Sequence, residues 1–104
     1  MLTVRFNYKV RQVALINEVH VLINRLVEQV SANEPDTLNY IAYQHDEDIR
    51  RFIHVMTFRD MDAREEHRHS DHYEEFIVNL TPLCESEPHV VILNQVASKE
   101  EFAA

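Results

Sequence analysis

The sequence predicts a single α+β domain whose strands and helices follow the order βαββαβ. Four segments alternate apolar and polar residues, or are rich in β-branched and aromatic residues, which is typical of strands. Two longer segments repeat apolar residues every three or four positions, which is typical of helices packed on one side. Because 104 residues suffice for one hydrophobic core but not for two, we expect one domain over residues 1–104, built on a four-stranded antiparallel sheet.

The first strand and the first helix follow directly from these patterns. Residues 2–10 alternate apolar and polar side chains, which predicts a strand with one buried face. Residues 12–30 carry a broad apolar stripe at helical spacing, which predicts an amphipathic helix. Asn33 and Pro35 interrupt the stripe, so we expect this helix to end near Ser31.

Two further strands form a predicted hairpin. Residues 37–44 are rich in β-branched and aromatic side chains, and residues 51–58 alternate again. The acidic segment 45–48 joins these two strands. A last strand is expected over residues 89–96, after a second helical region.

The second helical region begins near residue 60. Asp60 or Asp62 can cap it, and Asp62 precedes Glu65 by three positions, which is the spacing of a capping box. Apolar residues then recur at helical spacing until Pro82, whose ring interrupts a helix. The members of this apolar stripe are assigned to the core and to the wall of a cavity: Tyr73, Phe76, Ile77 and Leu80.

The third strand predicts a partner for the sheet. Residues 51–58 are apolar or aromatic on most of both faces, as in a strand that is covered on both sides. Two helices can cover only one face of a four-stranded sheet. We therefore expect a homodimer in which an identical sheet covers the second face with two-fold symmetry.

Composition narrows the range of partners. A net charge of −8 repels nucleic-acid phosphates, so we expect no nucleic-acid partner. No apolar run approaches the roughly 20 residues that cross a bilayer, so no membrane association is expected. The single cysteine, Cys84, excludes an internal disulfide, and without a secretory signal pattern we expect a cytoplasmic protein. The chain has no glycine, which excludes the glycine-rich loops that bind nucleotide phosphates.

A spaced pattern across residues 34–83 carries a resemblance to a known family. It reads EPDTLNY, YQ, RRF and FRD in turn, continues with His67, Ser70, His72, Tyr73 and Phe76, and ends on LTPL. This pattern resembles the antibiotic biosynthesis monooxygenase family, whose quinol monooxygenase-like members form dimeric α/β barrels. The resemblance implies a ferredoxin-like fold and a homodimer. The sequence departs from the family's common Gly, Trp and Leu at three positions, Asp36, Phe58 and Arg64.

The resemblance also implies a function. It suggests a monooxygenase that oxidises a small aromatic phenol or quinol with dioxygen and needs no metal, flavin or other cofactor. In such a reaction the substrate anion reduces dioxygen directly, so the protein supplies a base, hydrogen-bond donors and a dry pocket. Histidine suits the role of the base because its unperturbed pKa is about 6.5.

Three histidines are candidate catalytic groups. His67 matches the helix histidine of the family and is the first candidate, although a histidine at a helix start can also simply shape a cavity. His72 also matches, but it lies five positions from His67, so the two rings face different sides unless the helix breaks at Ser70. His54 lies on the same strand face as Met56, where it is either a pocket acid or base or a hydrogen-bonded core histidine.

Five residues are predicted to contact the substrate. They are Asn7, Tyr40, Met56, Phe58 and Phe76. Asn7 can orient a substrate oxygen or dioxygen, although strand alternation also lets it face solvent or the partner. Met56, Phe58 and Phe76 are apolar and can fill or line the space between the helices and the sheet.

The seven histidines raise the question of a metal or haem site. His67, His69 and His72 are close in sequence. His69 with His72, or Glu65 with His69, has helical spacing, but neither pair matches a zinc signature. We therefore expect no metal. A haem-degrading role is not expected either, because the chain has no tryptophan and has Ile77 where the resemblance places the iron ligand.

Two other functions fit the same pattern. An isomerase of a small carbonyl metabolite would use the same histidines as acid and base without consuming dioxygen. A non-catalytic dimeric protein that binds a small molecule is favoured if side chains fill the space between helices and sheet. A cavity below about 300 Å³ beside His54 or His67 would disfavour a drug-sized aromatic substrate.

Overall fold

Residues 1–99 are described by the computed structural model, which shows four strands and three α-helices in them. In chain order these are β1 (Leu2–Lys9), α1 (Ile16–Asn33), β2 (Thr37–Gln44), β3 (Arg51–Phe58), α2 (Met61–Arg68), α3 (Asp71–Leu80) and β4 (His89–Leu93). The predicted βαββαβ order is confirmed, with the second helical region divided into two helices. None of these three helices has the length and apolar character needed to cross a membrane.

The sheet has the strand order β2-β3-β1-β4, and every neighbouring pair is antiparallel. The consecutive strands β2 and β3 form the predicted hairpin. β1 and β4 come from opposite ends of the chain and also pair with each other. This arrangement confirms the predicted α+β, ferredoxin-like fold.

The helices cover one face of this sheet. Even-numbered side chains of β1 and β3 lie on that face, where Phe6 is opposite His54 and Tyr8 is opposite Phe52. These four side chains are almost fully buried. Phe6, Tyr8 and Phe52 pack in one cluster with the buried residues of α1, which are Ile16, Val19, Leu22, Ile23, Leu26 and Val30. This layer between helices and sheet is the hydrophobic core.

Two element boundaries differ from the prediction. α1 ends at Asn33, two residues further than predicted, because the backbone becomes non-helical only at Glu34, the residue that Pro35 restricts sterically. β4 ends at Leu93, three residues earlier than predicted. Leu93 already pairs with Thr3 near the start of β1, so that strand offers almost no further backbone to pair with.

Two side-chain caps fix the break between α2 and α3. Oδ1 of Asp60 accepts a hydrogen bond from the backbone N–H of Ala63 at 2.9 Å, so the first of the two predicted caps is the one used. Oγ of Ser70 accepts from the backbone N–H of Tyr73 at 3.2 Å and donates to the carbonyl oxygen of His67 at 2.7 Å. Ser70 therefore ends one helix and begins the next.

The other face of the sheet carries apolar side chains that none of the three helices covers. Val55 of β3 is opposite Ile41 of β2 on this open face, and Tyr43 is opposite Ile53. Tyr43 is 53% exposed and Ile41 37%, and Val91 of β4 is also exposed. The predicted homodimer rests on covering this open face, and it stays a prediction.

Candidate active site

A break in the helical region brings two histidines to one carboxylate. On one continuous helix, His67 and His72 would point about 140° apart, because each residue turns an α-helix by about 100°. The break at Ser70 separates the two residues into α2 and α3, and both rings contact Glu34 just after α1. A break at Ser70 was the condition for these histidines to act together, and the structure contains it.

The Glu34 carboxylate accepts hydrogen bonds from three side chains. Nδ1 of His67 lies 2.9 Å from both carboxylate oxygens, and Nε2 of His72 donates to Oε2. Oγ1 of Thr37 donates to Oε1 at 2.6 Å. Because an ionised carboxylate accepts but does not donate, the proton of a neutral His67 ring lies on Nδ1. Nε2 of His67 then carries a free lone pair.

Glu34 is held in its ionised form. Burial favours the neutral acid and acts to raise the pKa of Glu34, but hydrogen bonds from His67, Thr37 and His72 outweigh burial. The net result is a pKa lowered from 4.5 to about 2. At neutral pH this carboxylate is therefore a fixed anion that orients both imidazole rings.

His67 combines this orientation with an unused nitrogen. Its side chain is 2% exposed, and its Nε2 has no hydrogen-bond partner among residues 1–99. A buried polar atom without a partner costs about 1–3 kcal/mol, so such atoms are rare in folded proteins. An oriented imidazole with a free lone pair is the arrangement that a general base needs.

A cavity of about 200 Å³ lies beside His67, between the sheet and α2. Its wall consists of Val4, Phe6, Met56, Phe58, Arg64, His67, Arg68, Tyr73 and Val90. The volume is below the roughly 300 Å³ of the smallest drug-sized sites, so a drug-sized aromatic substrate is disfavoured. Since a cavity of about 150 Å³ can hold benzene, this one admits a single ring.

Tyr73 adds a phenol hydroxyl to the cavity wall. The centroid of its ring is 4.9 Å from that of His67. Burial raises the pKa of Tyr73, while the guanidinium charges of Arg68 and Arg64 act in the opposite direction. The cavity therefore combines apolar walls with a hydroxyl group and two positive charges.

His54 joins three strands and does not reach this cavity. Its Nε2 lies 2.8 Å from the hydroxyl of Tyr8, and its Nδ1 lies 2.7 Å from the hydroxyl of Tyr40. Burial lowers the pKa of His54 to about 3 and raises the pKa of both tyrosines, so the ring is neutral at neutral pH. With both nitrogens bonded, this placement corresponds to the core histidine among the two predicted roles.

The structure brings some of the predicted substrate residues together and separates others. Met56 and Phe58 line the cavity beside His67. Phe76 is buried in the core and also borders a separate pocket of about 110 Å³. Tyr40 borders another separate opening of about 400 Å³ at the start of β2. Only two of these four side chains therefore belong to the His67 cavity.

Asn7 lies on the open face of the sheet, opposite the helices. In the strand register it is opposite Ile53 and His89, and its Oδ1 is buried with no hydrogen-bond partner among residues 1–99. The His67 cavity does not include it. Its position on the open face agrees with the other predicted placement, in which Asn7 faces solvent or a partner chain, and a role in substrate binding stays a prediction.

Glu34, His67 and His72 also form a group that can hold a metal ion. One potential ligand atom from each lies within 4.8 Å of the others, and zinc accepts this set of nitrogen and oxygen donors. Helical spacing had pointed instead to Glu65 and His69, whose contact at 3.3 Å is on the surface. An ion on Nδ1 of His67 would replace the proton that this ring donates to Glu34.

The charged residues Glu34, Arg64 and Arg68 and the phenol-bearing Tyr73 were not among the predicted site residues. Glu34 and Tyr73 belong to the family-like pattern, which was the available signal for them. Arg64, His67 and Arg68 have i, i+3 and i+4 spacing, which places all three on one face of α2. The contact between Glu34 and His67 spans 33 residues and has no local signal.

Comparisons with known proteins agree with this fold. A family model described as antibiotic biosynthesis monooxygenase matches residues 1–79. The crystal structure of an antibiotic biosynthesis monooxygenase is 23% identical, with a TM-score of 0.85 over 93% of this chain and 100% of that chain. A second solved structure, of a Caulobacter crescentus CB15 protein that is also named an antibiotic biosynthesis monooxygenase, is of a chain 24% identical to this one. Its TM-score is 0.85 over 92% of this chain and 90% of that chain.

A conserved protein from Methanosarcina mazei Go1 has the same fold. It is 23% identical, with a TM-score of 0.78 over 91% of this chain and 94% of that chain. At these identities the three solved structures show a shared fold and nothing about a shared substrate. No curated protein matches the chain.

Proposed function

The chain belongs to the antibiotic biosynthesis monooxygenase family, and on that premise we propose that it oxidises a single-ring phenol or quinol with dioxygen, without a bound cofactor. The observation that carries this proposal is the oriented His67 ring, which lines a cavity for one ring and whose Nε2 has no hydrogen-bond partner among residues 1–99. Family membership supports the type of reaction, and the cavity volume supports the size of the substrate.

In the proposed reaction His67 acts as the general base. Its Nε2 takes the proton of the substrate hydroxyl, and Glu34 stabilises the imidazolium that forms, through the hydrogen bond at Nδ1. The phenolate is electron-rich and passes its electrons to dioxygen. One oxygen atom enters the ring at a carbon that loses its hydrogen, and the other leaves as water. A phenol thus becomes a quinone and supplies all four electrons that dioxygen accepts.

The surroundings of His67 suit this step. Met56 and Phe58 give the cavity apolar walls, and a bound ring that displaces water from them strengthens electrostatic interactions inside the cavity. The hydroxyl of Tyr73 can donate a hydrogen bond to the substrate oxygen as negative charge develops there. A positioned base of this kind contributes roughly 10²- to 10⁴-fold to the rate.

The proposed active form is a homodimer. A second copy packed on the open face would cover Ile41, Tyr43 and Val91, which are exposed in a single chain. This exposed apolar area supports a protein partner on the open face.

Isomerisation of a small carbonyl metabolite is the second candidate function. The same observation favours it, because proton transfer next to a carbonyl needs an oriented base such as His67 and a nearby donor such as Tyr73. This reaction consumes no dioxygen. A non-catalytic small-molecule-binding protein would use the cavity but turn nothing over.

Oxygen uptake with isotope labelling separates these functions. A panel of single-ring phenols and quinols is incubated under ¹⁸O₂, and the proposal predicts one labelled atom in the product and one in water for each dioxygen consumed. Isomerised carbonyl product without oxygen uptake would establish the second candidate instead.

Oxygen uptake is expected to persist after dialysis against a chelator. Uptake that disappears and returns with Zn²⁺ would assign the Glu34, His67 and His72 cluster to a metal.

A further inference from the structure

Arg64 contributes a positive charge to the cavity that no carboxylate of residues 1–99 neutralises. Only two arginines within residues 1–99 are partly buried, Arg50 and Arg64. Arg50 donates to the backbone carbonyl oxygens of Val10 and Arg11. Arg64 lines the cavity and makes no ion pair or side-chain hydrogen bond within residues 1–99. A partly buried guanidinium ordinarily has such partners, so the donors of Arg64 are available to a ligand.

The neighbours of Arg64 place this charge beside the proposed base. Arg64 precedes His67 by three residues on α2, and both side chains line the same cavity. Arg68 lines it too, but its Nη1 is paired with Glu65 at 3.1 Å. The charges of Arg68 and Arg64 both act on the hydroxyl of Tyr73, another residue of the wall. The cavity is therefore a positively charged pocket in a protein whose net charge is −8.

We infer that the ligand of this cavity is a single-ring aromatic carboxylate, whose carboxylate pairs with Arg64 while its ring lies against Met56 and Phe58. The ring hydroxyl then faces His67, a placement that rests on the proposed function. Guanidinium and carboxylate groups match each other in a bidentate geometry, which gives both strength and orientation. An uncharged phenol leaves the guanidinium unpaired, so the pocket selects against it.

Anaerobic titration calorimetry tests this selection without any turnover. The two probes are 4-hydroxybenzoate and hydroquinone, which differ by a carboxylate in place of a hydroxyl. The wild type is expected to bind 4-hydroxybenzoate at least about tenfold more tightly than hydroquinone, the lower end of the effect of a hydrogen bond to a charged group. Equal or weaker binding of the carboxylate, or no measurable binding of it, would overturn the inference.

Substitution of Arg64 tests whether this residue causes the preference for the carboxylate probe. Arg64→Leu, which keeps the bulk of the side chain, is expected to weaken 4-hydroxybenzoate binding roughly 10- to 100-fold and hydroquinone binding less than about twofold. Arg11→Leu removes the same charge from an exposed position and is expected to leave both affinities within about twofold. Equal losses for both probes in Arg64→Leu would mean that Arg64 only shapes the wall, which contradicts the inference. The wild-type comparison stands even if a variant fails to fold.

Failure of the anion site in this binding test can be distinguished from failure of the proposed monooxygenase function. Binding of 4-hydroxybenzoate through Arg64 without oxygen uptake would sustain the anion site and refute the monooxygenase proposal. Oxygen uptake with uncharged phenols, combined with no preference for the carboxylate, would sustain the monooxygenase proposal and refute the anion site.

Discussion

Two buried histidines take different roles because their ring nitrogens are bonded differently. His54 has one nitrogen bonded to Tyr8 and the other bonded to Tyr40. His67 has Nδ1 bonded to Glu34, and its Nε2 has no partner within residues 1–99. The first ring is a neutral connection between strands, and the second lines the cavity and keeps one nitrogen without a partner. Hydrogen-bond partners therefore separate the two histidines where residue type does not.

His54 is expected to make the folded state less stable in acid. Its pKa is about 3 in the folded protein and about 6.5 in an unfolded chain, so between these pH values only the unfolded state takes up the proton. The stability from this group is complete above pH 6.5 and is lost as the pH falls toward 3, at about 1.4 kcal/mol per pH unit. Between pH 6.5, where the unfolded imidazole is half protonated, and pH 4.5, its contribution to the free energy of unfolding falls by roughly 2 kcal/mol.

The pH dependence of His54→Gln isolates this contribution. Denaturant unfolding at several pH values is expected to show that the variant takes up about one proton fewer on unfolding than the wild type. His69→Gln is the matched control, because this histidine lies on the surface and is expected to keep the wild-type slope. The same slope for wild type and His54→Gln would show that His54 titrates normally in the folded protein.

Residue types in the sequence identified the site only in part. His67 and His72 were found because they match a spaced pattern, and Met56 and Phe58 because strand alternation places them on one face. The contact of His67 with Glu34 could not be predicted, because it joins residues from different elements. Pairings of this kind depend on how elements pack, which periodicity does not report.

At the scale of elements, the strands were predictable and the helix break was not. β2 (Thr37–Gln44) and β3 (Arg51–Phe58) have the predicted bounds, because residue preference and alternation are local signals. Residues 69 and 70 are His and Ser, and without proline or glycine nothing in their type requires a break. The break depends on the capping hydrogen bond of Ser70, a side chain that is also tolerated inside helices.

The break at Ser70 is expected to matter for activity as well as for stability. Ser70→Ala and Asp60→Ala each remove one N-cap and are expected to cost about 1 kcal/mol of unfolding free energy. Only Ser70 also bonds the carbonyl oxygen of His67, so its loss shifts the ring of the proposed base. We expect oxygen uptake to fall at least about tenfold in Ser70→Ala, since small misplacements of catalytic groups have effects of up to about 100-fold.

Asp60→Ala is the control, and its oxygen uptake is expected to stay within about twofold of wild type. Equal losses of oxygen uptake in both variants would reject a positioning role for Ser70.

At the scale of the whole molecule, the open face of the sheet sets the expected assembly. One chain has a mass of 12.3 kDa, so a homodimer has about 24.6 kDa. Val55→Asp adds a charge among the apolar residues of the open face and is expected to give a monomer. Val78→Asp makes the same change at an exposed position of α3 and is expected to leave the mass unchanged. Light scattering of dilute samples measures the mass of the wild type and of both variants. A monomeric wild type would reject the homodimer.

His67 as the base of an oxygen-dependent reaction is tested most directly by the rate of oxygen uptake with a single-ring phenol. His67→Gln keeps a side chain that can bond Glu34 but cannot act as a base, and we expect kcat/KM to fall by roughly 10²- to 10⁴-fold. His67→Ala is expected to show a similar loss. His69→Ala is expected to stay within about twofold of wild type, because the side chain of His69 is 78% exposed on the same helix end. Rates in both His67 variants equal to that of the wild type would contradict the assignment of His67 as the base.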